Sequence, residues 1–259
     1  MTKDQSPIIL AFSGGLDTSF CVPWLKENYE RDVITVCVDT GGIDSEAAIQ
    51  LEKRALALGA IEHVLVDAKQ EFFDTVIRFL IAGNVLRGQA YPLCVGAERG
   101  LQAERLARIA TERGATTVAH GCTAAGNDQI RFEVALRTLN PDLVSLAPVR
   151  DNDWVRDEQL GYLESNGLPL PPQGSAYSIN RGLWGITIGG QETLTSENTL
   201  PESAWVLSAN AFTEPEEMSK HTLEFAEGVP VALDGERLSP VELIEKLEAL
   251  AGRYGIGRG

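Results

Sequence analysis

The chain has 259 residues, 44% of them hydrophobic and 23% charged, and a formal net charge of −15. That length suffices for one large domain or two modest ones, and without a long apolar span the composition excludes a helical membrane protein. The acidic balance argues against a nonspecific nucleic-acid binder, which needs a basic footprint to replace counterions. The opening MTKDQSPIIL holds too short an apolar segment for a secretory signal. Cys21, Cys37, Cys94 and Cys122 are scattered without a CxxC pair, so a reduced, cytoplasmic chain with free thiols is expected. His63, His120 and His221 lack zinc-ligand spacing, and no structural metal is expected.

Pro7 to Phe12 is an apolar run that predicts a buried parallel strand. Thr18 to Tyr29 reads as a helix, with Pro23 awkward inside it. Asp32 to Val38 predicts a second buried strand, Ser45 to Leu58 a helix stopped by Gly59, and His63 to Val66 a third strand. Helices follow over Lys69 to Leu80 and over Glu98 to Arg113, the latter closed by Gly114. Thr117 to His120 is a fourth strand, Gln129 to Leu139 a helix carrying Arg131, and Leu143 to Ala147 a fifth strand. Alternation of this kind predicts an α/β fold with a mostly parallel sheet covered on both faces. Ligands of such sheets bind at the carboxyl ends of strands, which directs attention to the loops after Phe12, Val38 and His120.

Past Asp151 the texture changes. Leu168 to Pro172 (LPLPP) reads as a linker or domain entry. The remainder is richer in Gly, Ser and Thr, with short apolar stretches at Trp205–Leu207 and Val229–Leu233 and a closing helix over Pro240 to Gly252. A parallel-sheet domain over 1–165 and the start of an α+β domain over 166–259 are expected. There is no internal repeat.

The turn after the first strand, Ser13-Gly14-Gly15-Leu16-Asp17-Thr18-Ser19, carries the chemistry. Strand, Gly-Gly, then a helix start is how a backbone approaches a phosphate: the glycines remove Cβ obstruction and free N–H groups point at the anion. Ser13, Thr18 and Ser19 add hydroxyls. Asp17 is suited to hold a magnesium ion through intervening waters. The alternative is a tight turn with Asp17 or Thr18 as helix N-cap. Neither GxxxxGK[ST] nor GxGxxG follows this strand.

SGGLDTS resembles the pyrophosphate loop of the ATP pyrophosphatase superfamily, whose members cleave ATP between the α- and β-phosphates. A second motif, HGCTAAGNDQIRFE from His120 to Glu133, resembles the argininosuccinate synthase signature. AFSGGLDTS, YPL at Tyr91–Leu93, APVRD at Ala147–Asp151, YSINRGLWG at Tyr177–Gly185 and the closing AGRYGIGRG resemble that family in the same order. The resemblance runs the whole length of the chain. It implies an adenine-nucleotide-hydrolase-like fold and an ATP- and Mg2+-dependent ligase of arginine biosynthesis that joins citrulline to aspartate through citrullyl-AMP, releasing AMP and pyrophosphate. Carried over by position, Ala11, Phe12, Ser13, Gly14, Gly15, Leu16, Asp17, Thr18, Ser19, Val38 and Gly121 would line the ATP site. Thr123, Asn127 and Asp128 would hold aspartate. Tyr91, Asn127, Arg131, Ser178 and Thr187 would hold citrulline. Ser13, Asp17 and Asp128 would act in catalysis, and Asp17 on the metal. The residue types suit the task, since an amino acid offers a carboxylate to Arg131 and an ammonium to Asp128. Read by themselves, Asn127 and Asp128 also suit an Asx turn capping a helix.

Three departures from the family pattern stand out. The stretch after YPL is Cys94-Val95-Gly96-Ala97-Glu98-Arg99-Gly100, where the family reads like TSLARP, so a hydroxyl expected near Gly96 is missing. The family's GKGND lysine is Ala125, and Gly189 stands where bacterial members often carry Glu. Family members are about half as long again, and the expected absentees are a segment giving a glutamate and a tyrosine to the citrulline pocket and a helix used in homotetramer assembly. Two alternatives therefore accompany the ligase: a nucleotide-binding protein without ligase activity or an incomplete fragment, and a variant that adenylates another ureido or carboxylate compound.

Overall fold

A computed structural model describes residues 4–124, 126–171 and 177–258. The chain opens with β1 (Ile8–Ala11), α1 (Leu16–Tyr29), β2 (Val33–Asp39), α2 (Ser45–Ala57) and β3 (Glu62–Asp67). A helical stretch follows as α3 (Lys69–Phe72), a π-helical turn over Phe73–Ile77, and α4 (Arg78–Ala82). Next come α5 (Glu98–Glu112), β4 (Thr117–Ala119), α6 (Asp128–Leu139), β5 (Val144–Leu146), α7 (Pro148–Asp151) and α8 (Arg156–Ser165). The rest comprises β6 (Ser178–Gly182), β7 (Gly185–Gly189), β8 (Leu223–Ala226), β9 (Val229–Leu233), β10 (Glu236–Arg237) and α9 (Pro240–Gly252). The fold is α/β, as expected. It divides into two compact units: residues 1–39, 43–67 and 99–173, and residues 40–42, 68–98 and 174–259.

The first unit is built on a five-stranded parallel sheet in the order β3-β2-β1-β4-β5. Its centre follows from IILA. Ile8, Ile9 and Leu10 are all buried, because helices cover both faces. Successive residues point to opposite faces. Ile8 and Leu10 join Phe20 and Leu25 of α1, whereas Ile9 joins Leu106 and Ala110 of α5 with Phe132 and Leu136 of α6. Each such side chain stabilises the unit by about 1.5–3 kcal/mol relative to exposure. An aromatic cluster seats α8, which the change of texture after Asp151 did not disclose: Phe20 lies 4.8 Å from Trp154 and 5.2 Å from Tyr162 between ring centroids.

Two local expectations shift. Helix α1 starts at Leu16, two residues before Thr18, and runs through Pro23, giving up one backbone bond while burying Phe20, Cys21, Val22 and Leu25. The single helix expected over Lys69 to Leu80 is interrupted by the π-helical turn, with Phe72, Phe73 and Ile77 all buried. The apolar stretch Trp205–Leu207 leads out of a 3-10 turn (Glu202–Ala204). Pro172, at the end of the LPLPP stretch, lies outside the described residues, as does Ala125.

In the second unit β6 and β7 form an antiparallel hairpin, and β10-β9-β8 a small antiparallel sheet. Residues 40–42 pack tightly here. Leu183 N–H donates to Thr40 O at 2.7 Å, and a Cβ on Gly41 (φ +119°) would stand 2.3 Å from Leu183 N. Near the chain's end Arg258 pairs with Glu202 and lies over the Trp205 and Phe212 rings at 5.0 and 4.5 Å.

Candidate active site

In the order β3-β2-β1-β4-β5 the connection from β1 leads to one side and β4 lies on the other. The crevice between the carboxyl ends of β1 and β4 is the topological switch point, where open α/β sheets bind ligands. SGGLDTS leaves β1 there, and Gly121 follows β4 just after His120. The two meet closely: a Cβ on Gly121 would lie 3.0 Å from Thr18 Cγ2, 3.1 Å from Asp17 Cβ and 3.1 Å from Thr18 N. A Cβ at that position would be tighter than ordinary contact, so glycine lets the two segments approach without displacing either.

The loop is shaped by its own hydroxyls. Gly15 N–H donates to Ser13 Oγ at 3.4 Å, Ser13 N–H donates to Thr18 Oγ1 at 3.4 Å, and Thr18 Oγ1 donates to Gly15 O at 3.3 Å. Ser19 Oγ donates to Gly14 O at 3.4 Å. Gly14 has φ +73°, a conformation that glycine adopts without strain. The N-cap of α1 is Gly15, and no side chain caps the helix. The capping role considered for Asp17 or Thr18 is therefore not taken, and no side chain caps the first-turn N–H groups. Those groups and the helix dipole favour an anion.

Asp17 sits in that first turn, partly exposed. Its Oδ1 accepts from Gln159 Nε2 at 2.9 Å. A carboxylate beside a phosphate cradle repels the anion unless a cation lies between them. No group of three His, Cys, Asp or Glu that could hold a metal occurs among the described residues. A single hard carboxylate suits magnesium, which keeps several waters and takes further oxygens from phosphate. The residues present thus fit ATP with magnesium. The other residues expected around ATP are backbone-rich. Phe12 is buried edge-on to His63 at 5.8 Å, Ala11 and Leu16 join the core clusters, and Val38, the last residue but one of β2, is half-buried in register with Val66.

His120, 1% exposed, closes β4 beneath Gly121. Cys122 N–H donates to its Nδ1 at 3.3 Å, which places the ring proton on Nε2, and the ring stacks on Phe132. Burial, reinforced by the Arg150 charge, lowers its pKa to about 4. The ring is therefore neutral at neutral pH. The thiols are equally quiet: burial pushes Cys37 up to about 12 and Cys122 up to about 11, and raises Cys21 and Cys94. None is a thiolate at neutral pH, so no cysteine serves as nucleophile.

Around the start of α6, Thr123 and Asn127 are exposed and Asn127 makes no capping bond with its side chain. Asp128 is held from two sides: Arg131 Nη1 donates to Oδ1 at 2.6 Å and Arg99 Nε to Oδ2 at 3.0 Å. Arg99 was not singled out from the sequence, because its partner lies 29 residues away. In the second unit Tyr91 OH accepts from the N–H groups of Val95 and Gly96, each at 3.2 Å. Ser178 and Thr187 lie on one face of the β6–β7 hairpin, since Ser178 pairs with Gly189 and Asn180 with Thr187. Buried Glu98 accepts from Thr40 Oγ1 at 2.7 Å. A Cβ on Gly182 would stand 2.5 Å from Glu98 Oε2, so Glu98 fills space that only glycine at 182 leaves open.

A parallel sheet of this order with a glycine- and hydroxyl-rich turn at its switch point defines a nucleotide-binding α/β protein. The family models are specific. Residues 7–169 match the arginosuccinate synthase N-terminal HUP domain and residues 177–259 the arginosuccinate synthase C-terminal domain. The chain belongs to the argininosuccinate synthase family. Argininosuccinate synthase of Methanocaldococcus jannaschii is 42% identical over 250 residues, covering 96% of this chain and 62% of that protein. Argininosuccinate synthases of Lactococcus lactis subsp. lactis (41%, 97% of this chain and 63% of the relative) and Streptococcus gordonii (42%, 100% and 63%) are similarly close. The chain spans 62–63% of the length of these three relatives. No helix among the described residues is long and apolar enough to cross a membrane.

Proposed function

We propose that this chain acts as an argininosuccinate synthase, an ATP-dependent carbon–nitrogen ligase joining L-citrulline to L-aspartate with release of AMP and pyrophosphate. The observation that carries the reading is the meeting of the SGGLDTS turn and Gly121 at the switch point of a parallel sheet, in a chain of this family. The citrulline ureido oxygen attacks the α-phosphorus, the bond to the bridging oxygen of pyrophosphate breaks, and citrullyl-AMP forms. The aspartate amine then attacks the ureido carbon, AMP leaves, and the amine's proton is lost.

The chain's own residues bind and orient. Ser13, Thr18 and Ser19, with the N–H groups of the uncapped first turn, hold the phosphates, while Ala11, Phe12, Gly14, Gly15, Leu16, Val38 and Gly121 shape the nucleotide site. Asp17 would hold a magnesium ion, which would supply charge neutralisation on the phosphates. Thr123, Asn127 and Asp128 hold aspartate. Each oxygen of Asp128 spends one lone pair on an arginine and keeps another for an ammonium. The family relationship supports a citrulline-binding role for Tyr91, Asn127, Arg131, Ser178 and Thr187. Positioning and charge neutralisation supply the catalysis, and no covalent nucleophile is needed. The family relationship supports two further parts of the reading: a cytoplasmic setting, and assembly as a homo-oligomer when the C-terminal part carried by the longer relatives is supplied.

The test is AMP and pyrophosphate release by the chain with ATP and Mg2+, adding citrulline and aspartate separately and together. Release that needs both amino acids is expected. ATP binding without such release, or release driven by a different ureido or carboxylate compound, overturns the assignment.

A further inference from the structure

Gln159 of α8 is 2% exposed, yet its amide is spent on one side only. Nε2 donates to Asp17 Oδ1 at 2.9 Å and approaches Trp154 O at 3.3 Å, while Oε1 is buried with no partner among the described residues. Both neighbours of Nε2 are acceptors, which fixes the amide orientation. A buried amide with an unmatched oxygen is a costly way to fill space, and an apolar residue of similar length would pack there without that cost. The residue is therefore not explained by packing.

We infer that Gln159 is a positioning residue for Asp17, an inference that rests on the reading of Asp17 as the carboxylate that holds magnesium in the ATP site. A carboxylate turns loosely about its last torsion. A donor on Oδ1 fixes its plane and leaves Oδ2 for a metal or a metal-bound water. The donor's neutrality matters as much as its place. Lysine or arginine would fix the same oxygen but cancel its charge, and the carboxylate must keep that charge to attract a cation. The two residues are 142 positions apart and are brought together because the Phe20–Trp154–Tyr162 cluster seats α8 on α1.

The experiment is calorimetric titration of the full chain with ATP, once with Mg2+ and once with EDTA. The ratio of the two dissociation constants is the magnesium increment. Gln159→Met keeps the length and removes the donor; the increment should fall roughly tenfold, the usual scale for loss of an outer partner of a metal ligand, with affinity in EDTA unchanged. Gln159→Glu keeps the shape and sets an acceptor against Asp17, and should lose at least as much. In an Asp17→Asn background Gln159→Met should change nothing further, because its effect passes through the carboxylate. A merely structural role would weaken binding alike with and without Mg2+, and would persist in that background. Either result, or an unchanged increment in a folded Gln159→Met protein, overturns the inference. If the unmodified chain shows no increment, or Asp17→Asn retains it, the magnesium role of Asp17 fails first and the inference with it.

Discussion

The turn after β1 and the β6–β7 hairpin carry their candidate residues by different means. The turn grows from a strand buried on both faces, and its conformation is over-determined by a positive-φ glycine, four hydroxyl contacts and a buried amide behind Asp17. The hairpin is two short strands with Ser178 exposed and Thr187 half-buried, joined to the rest of its unit by the Thr40–Leu183 bond and the packing of Gly41. A phosphate cradle must be rigid, because its N–H groups have to be aimed before the ligand arrives. Residues that select an amino acid can sit on a more open surface.

The largest effect should come from the rigid side. Asp17→Ala should lower pyrophosphate release roughly 100- to 1,000-fold in a steady-state assay while the circular dichroism spectrum stays native. Normal turnover would mean that the carboxylate does not serve the phosphates.

Next comes the support beneath Gly121. His120 keeps a folded pKa of about 4 against an ordinary value of 6.5. Above pH 6.5 the ring is neutral in both states and titration adds nothing. Between 6.5 and 4 the unfolded chain takes up a proton that the folded chain refuses, so stability falls by about 1.4 kcal/mol per pH unit, or roughly 2 kcal/mol by pH 5. His63, lowered by burial as well, acts in the same direction. Urea midpoints between pH 7 and 5 should slope accordingly, and His120→Gln should flatten the slope. An equal slope in that variant would place the proton uptake elsewhere.

A smaller effect is expected at the residue proposed to hold the substrate amine. Asp128→Ala should raise the KM for aspartate about tenfold with the KM for ATP nearly unchanged, the scale of one charged hydrogen bond lost. A rise confined to ATP would remove Asp128 from the aspartate site. The smallest belongs to close approach. Gly121→Ala sets a Cβ at 3.0–3.1 Å from Thr18 and Asp17, contacts that a shift of a few tenths of an ångström relieves. A two- to threefold weaker ATP affinity, about 0.5 kcal/mol, should register by calorimetry. No change would mean that this approach has slack.

Strand–helix alternation, the parallel sheet and the place of the glycine turn were legible along the chain, because they depend on local periodicity and on runs such as IILA that only a doubly covered sheet can bury. The family was legible from ordered motifs for the same reason, since each is contiguous. Other features were not. The π-helical turn at Phe73–Ile77 depends on which neighbours bury Phe72 and Phe73. Helix α8 has a weak pattern of its own and is seated by aromatic contacts to α1.

By itself, then, the sequence determined the α/β class, the phosphate-type turn and the family, all properties of residues near one another in the chain. The tertiary structure alone decided which groups meet: Gly121 against Thr18, Arg99 on Asp128, Glu98 in the space left by Gly182, and Gln159 on Asp17. These contacts join residues 29 to 142 positions apart. No local propensity records them, because they exist only once the strands have paired and the helices have closed over them.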